Sequence, residues 1–121
     1  MTLNEMAWLL ATHPDPNVLD AREAVKLAER AAELTNNQDA VIVDTLAAAY
    51  AAAGQFDRAV GAAQEALALV SKGEDSEQAK EIRQRLELYS QAKQYTDTGR
   101  ETSRTNWHRI PRGDASIGLS G

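Results

Sequence analysis

The chain has 121 residues, no cysteine and a formal net charge of −5, and alanine alone fills 22 of its positions. That length makes one small domain, and the missing cysteines exclude a disulfide scaffold and a thiolate zinc site. Aromatic residues are 5% of the chain and phenylalanine occurs once, so any core is built from small aliphatic side chains.

Thr2 with Glu5 three positions on is a capping-box pattern, and Met6, Leu9 and Leu10 follow it as an apolar face, so a first helix starts here. Pro14 and Pro16 stop it, because proline has no backbone N–H to donate. Asp20 with Glu23 repeats the capping pattern. Ala24, Leu27, Ala28, Ala31 and Leu34 then recur at spacings of three and four, the pattern of an amphipathic helix. Thr35-Asn36-Asn37 closes it. A third helix has Asp39 as its cap and runs to Ala53, where Gly54 supplies a left-handed stop. A fourth runs from Phe56 to Val70 and ends near Gly73. A fifth begins at Asp75 or Ser76 and carries Ala79, Ile82, Leu86 and Tyr89 on one face, with Lys80, Glu81, Arg83, Gln84 and Glu87 on the other. No window alternates with a period of two, so the expected class is all-α.

Composition changes near residue 96, from Ala, Leu, Glu, Gln and Lys to Thr, Ser, Gly, Asn and Arg. Residues 1–95 carry a net charge of −6. The tail of 96–121 carries +1, with Arg100, Arg104, Arg109 and Arg112. An acidic body without a basic stripe speaks against nucleic-acid binding. No apolar run approaches the roughly 18 residues that span a bilayer, and the N-terminus lacks the pattern of a signal peptide; these features favour a cytoplasmic location.

Residues 40–71 read AVIVDTLAAAYAAAGQFDRAVGAAQEALALVS, with Leu46, Ala47, Tyr50, Gly54, Phe56, Ala59, Ala66 and Leu69 at characteristic intervals. Small residues fall where antiparallel helices touch, larger ones fill the spaces between, and Gly54 makes the turn. This run strongly resembles the tetratricopeptide repeat, a helix-turn-helix unit of 34 residues. Its usual final proline is replaced here by Ser71. In residues 3–35, Met6, Ala7 and Leu10 stand where Leu46, Ala47 and Tyr50 stand. Ala24, Ala31 and Leu34 likewise match Ala59, Ala66 and Leu69, with a turn about five residues longer than the family's. The chain also resembles the C-terminal end of longer bacterial multi-repeat proteins in its AWLLAT and DTLAAAYAAAG stretches.

The resemblance implies an α-solenoid domain over 1–95: repeat one about 3–35, repeat two about 40–71, and a capping helix about 75–95. The polar tail 96–121 follows. It also implies a non-catalytic protein- or peptide-binding module, whose concave groove is lined by the first helix of each pair. Carried over residue by residue, that groove holds Asn4, Trp8, Thr12, Val41, Asp44, Ala48, Ala51 and Ala52. Trp8 is a rigid hot-spot candidate beside the small Ala48, and Asp44 is a partner for a ligand's lysine or arginine. The lysine and arginine donors that would clamp a C-terminal carboxylate are missing from these positions. The alternative is a self-associating structural unit, or the end of a longer repeat array. There Leu3, Met6, Leu9 and Leu10 form a sticky end, and Trp107 and Ile110 of the tail supply apolar anchors. Two repeats with a cap bury little surface by themselves, which is what favours homo-oligomers here.

Catalytic and metal-binding patterns are sparse. His13, Asp15 and Asp20 read best as turn residues and a helix cap, and no phosphate loop, nucleophile elbow or paired-histidine motif occurs. No cofactor is expected. Arg112-Gly113-Asp114 is a three-residue match to an adhesion tripeptide, too short to carry an argument.

Overall fold

The computed structural model describes residues 2–70 and 77–96, and these form five α-helices. They are α1 (Leu3–Thr12), α2 (Ala21–Leu34), α3 (Ala40–Ala52), α4 (Phe56–Val70) and α5 (Glu77–Ser90). Consecutive helices pack on one another, and α1 also packs on α3. The all-α expectation holds among the described residues. The anticipated end of α4 near Gly73, the start of α5 at Asp75 or Ser76, and the tail from residue 97 onward lie outside them.

Helix starts follow the capping chemistry of the sequence. Thr2 and Glu5 form the full reciprocal box: Glu5 N donates to Thr2 Oγ1 at 3.0 Å, and Thr2 N donates to Glu5 Oε1 at 2.9 Å. At α2 the Asp20 half of the box is present, with Glu23 N donating to Asp20 Oδ1 at 3.2 Å. Asp39 caps α3 by accepting from Val41 N at 3.0 Å. Each cap satisfies a backbone donor that the first helical turn leaves without an internal acceptor.

Three helices end in the same way. After α3, Gly54 N donates to Ala51 O and Gln55 N to Tyr50 O, and Gly54 lies in the left-handed region with φ +80°. After α2, Asn36 N donates to Glu33 O and Asn37 N to Ala32 O, with Asn36 at φ +55°. After α5, Ala92 N donates to Tyr89 O and Lys93 N to Leu88 O, with Ala92 at φ +59°. These are Schellman ends, whose reversed backbone returns donors to orphaned helix carbonyls. Glycine adopts that backbone freely and asparagine tolerates it, whereas alanine pays for its Cβ.

The eight residues between α1 and α2 are ordered by their own polar groups. Val18 N and Leu19 N donate to Asp15 O, Asn17 N donates to Asp15 Oδ1, and Asp15 N donates to His13 Nδ1. Asp20 N donates back to Leu10 O at 2.9 Å, which ties the far end of the turn to α1.

The core divides into two clusters that share α3. Ile42, Leu46 and Ala49 of α3 pack with Ala7, Trp8 and Ala11 of α1 and with Ala24, Ala28 and Ala31 of α2. Val43, Ala47 and Ala51 pack with Ala59, Ala63 and Ala66 of α4 and with Ile82 and Tyr89 of α5. Every residue from Val41 to Ala49 is buried, so α3 is the central helix shared by both clusters. Alanine at the contacts lets backbones approach closely, at about 0.8 kcal/mol per buried methyl-sized group. Leu34, expected on the apolar face of α2, is 43% exposed because it lies at the helix end beyond the last contact at Ala32.

Candidate binding site

Asn4, Trp8 and Thr12 recur every four residues and so line one stripe of α1, while Val41, Asp44 and Ala48 line one stripe of α3. All six are buried, none more than 2% exposed, and Ala52 is half-buried. Ala51 departs from the expected groove: its side chain packs in the cluster with Ala47, Ala59 and Ile82. Thr12 turns its hydroxyl back onto Trp8 O at 2.7 Å, and Thr45 does the same onto Val41 O at 3.0 Å.

Arg85 fills the centre of this face. From α5 its Nη2 donates to Asp44 Oδ2 at 2.5 Å and its Nε to Asp44 Oδ1 at 3.4 Å, a two-pronged contact with both side chains almost wholly buried. The guanidinium also lies 5.4 Å from the centre of the Trp8 ring and 5.2 Å from that of Tyr95. The two rings are 5.7 Å apart and tilted by 39°. A flat, delocalised cation is suited to this setting, because it can bind a carboxylate through its N–H groups while lying against aromatic rings. Burial by itself pulls the Arg85 pKa down. The Asp44 carboxylate, helped by the tyrosine hydroxyls, more than offsets this, so the net shift is upward and the group stays charged.

Asp44, expected to await a ligand's basic residue, is therefore engaged by a cation of its own chain. Each partner showed a signal of its own, though not the pairing. Asp44 interrupts the run AVIVDTLAAAY, and Arg85 sits three residues after Ile82 and four before Tyr89, on the buried face of α5. Tyr95 had no such signal, since it lies beyond the helix.

The Tyr89 hydroxyl is buried without a hydrogen-bond partner among the described residues. Burial, and then the nearby Asp44 charge, raise its pKa well above the usual tyrosine value. Beside Arg85 and Tyr95, a cleft of about 330 Å³ opens to the surface, lined also by Gln84, Leu88, Gln94 and Thr96.

The expected sticky end is less bare than its sequence implied: Leu3 is buried, and Met6, Leu9 and Leu10 are half-buried. Trp107 and Ile110 lie outside the described residues, as do His108 and Arg112-Gly113-Asp114. His13, Asp15 and Asp20 are occupied in the turn and the α2 cap. Among the described residues no three metal-ligating side chains are grouped, and no helix is long and apolar enough to cross a membrane. Comparison with known proteins yields no matching family model, no matching curated protein and no matching solved structure.

Proposed function

We propose that this chain is a non-catalytic module that binds protein or peptide, built from two tetratricopeptide-like helix pairs (α1–α2 and α3–α4) and a capping helix (α5). Its binding face is the surface made by α1 and α3. The observation that carries the reading is the Asp44 carboxylate holding the Arg85 guanidinium, which itself lies against the Trp8 and Tyr95 rings. A seat with that chemistry favours an arginine-bearing segment with apolar neighbours. Such a ligand binds by sharing or displacing Arg85, and the cleft beside Arg85 and Tyr95 gives it an approach.

The test is a fluorescence titration of the full chain in a Trp107→Phe background, where Trp8 is the only indole. Short peptides carrying one arginine between leucines are compared with their citrulline counterparts. The arginine peptide is expected to shift Trp8 emission and to bind about tenfold more tightly than the neutral isostere, a difference of about 1.4 kcal/mol. An equal response to both peptides, or none to either, would overturn the reading.

A further inference from the structure

The cleft of about 330 Å³ lies between α5 and the chain that returns from it. Glu81, Arg85 and Leu88 are spaced by four and three along α5, so they form one stripe of its surface and one wall of the cleft. The turn at Ala92 brings back Gln94 and Tyr95 as a second wall.

Glu81 stands one turn before Arg85, the usual spacing for an ion pair along a helix, yet Arg85 is turned to Asp44 instead. The Glu81 carboxylate therefore has no ion-pair partner among the described residues. Asp44 already balances Arg85, which leaves Glu81 as the net charge of the cleft wall. Arg85 nonetheless has donors to spare. Its bonds to Asp44 use the Nε–H and one N–H of Nη2. Nη1 has no acceptor among the described residues, but it is not one of the fully buried side-chain atoms left without a partner. It thus keeps contact with solvent, and the cleft that Arg85 lines is where that contact is made.

We propose that this cleft receives the free amino terminus of a partner peptide. The terminal ammonium pairs with Glu81, the first carbonyl accepts from Arg85 Nη1, and the first side chain lies against Leu88 and Tyr95. An amino terminus carries its cation and its first acceptor within one residue, which suits two side chains set one helical turn, roughly 6 Å, apart. A free carboxylate would meet Glu81 as a like charge, and an arginine side chain offers Nη1 no acceptor. The volume is at the low end for a small-ligand pocket, so it holds a single residue while the rest of the peptide leaves through the open side. This goes beyond the arginine seat, because it needs neither an arginine in the ligand nor the displacement of Arg85.

The test follows backbone amide signals of the full chain by nuclear magnetic resonance while small probes are added. Leucinamide has the ammonium and the carbonyl without a carboxylate. It is expected to shift Gln84, Leu88, Gln94 and Tyr95, with a dissociation constant on the order of 1 mM. N-acetyl-leucinamide, which has lost the charge, and the variant Glu81→Gln with leucinamide should each bind about tenfold more weakly. The dipeptide amide Leu-Ala should bind at least as tightly as leucinamide. Equal binding of the acetylated probe, or unchanged affinity in Glu81→Gln, overturns the proposal. So does tighter binding of free leucine than of leucinamide, which would make Arg85 a carboxylate seat. Exclusion of the dipeptide would confine the cleft to single amino amides and overturn it as well. If acetylated arginine peptides fail to bind while leucinamide still does, the arginine reading fails and the amino-terminal site stands.

Discussion

The two helix pairs close differently. Between α1 and α2 the chain spends eight residues with two prolines, held by Asp15, His13 and the Asp20–Leu10 backbone bond. Between α3 and α4 it spends three residues and relies on Gly54 in a left-handed conformation. Both turns deliver the second helix against its partner through small residues, Ala24, Ala28 and Ala31 in one pair and Ala59, Ala63 and Ala66 in the other. Loop length is therefore a minor variable, consistent with the slow growth of closure entropy with length. What matters is that the ends of the turn are pinned.

The pairs also differ in what they give to the α1–α3 face, with Asn4 and Trp8 from α1 and Asp44 and Ala48 from α3. One pair supplies the ring, the other the charge, and Arg85 joins them. Breaking that junction is expected to have the largest effect. Arg85→Ala strands the buried Asp44 carboxylate and should cost about 3–5 kcal/mol, read as a lowered midpoint in urea unfolding. Replacing both partners, as Asp44→Leu with Arg85→Met, should recover most of that loss. If the single variant unfolds at the wild-type midpoint, the two pairs are not coupled through this contact.

The helix ends sharpen the comparison at a smaller scale. A Cβ on Gly54 would meet nothing within 4 Å, so Gly54→Ala isolates the backbone cost of a left-handed alanine, about 1 kcal/mol. Ala92→Gly runs the same exchange in reverse after α5 and should stabilise by a similar or smaller amount. Thermal midpoints that move in the same direction for both variants would contradict the assignment of these two ends to one motif.

The smallest effect is expected at high pH. Tyr89 has its pKa raised in the folded state from the ordinary 10.0, by burial first and then by Asp44. The unfolded chain therefore loses this proton first as pH rises. The stability tied to the neutral hydroxyl is complete below about pH 10 and drains away above it. Tyr89→Phe should flatten that alkaline decline. At neutral pH it should be nearly silent or slightly stabilising, since it removes a buried hydroxyl with no hydrogen-bond partner among the described residues.

The helices and their caps were legible because their causes are local. Thr2 with Glu5, Asp39, and Gly54 after an alanine run each act on backbone groups within a few positions of themselves. The site was legible only in part. Positions 4, 8, 44 and 48 were identified as neighbours, but Asp44 and Arg85 are 41 residues apart, and nothing local announces such a pairing. Tyr95 was hidden for the same reason: its place against Trp8 depends on where the chain turns after α5, which periodicity does not encode.

The alanine-rich contacts carry a risk that the Asp44–Arg85 pair answers. A seam of methyl groups is smooth, so sliding one helix along another by a turn replaces alanine contacts with nearly equivalent ones. A buried carboxylate and a buried guanidinium, by contrast, meet in a single alignment, and every shifted arrangement leaves both without a partner. Whatever the pair contributes to net stability, it fixes α5 in one register on a surface that would otherwise tolerate several.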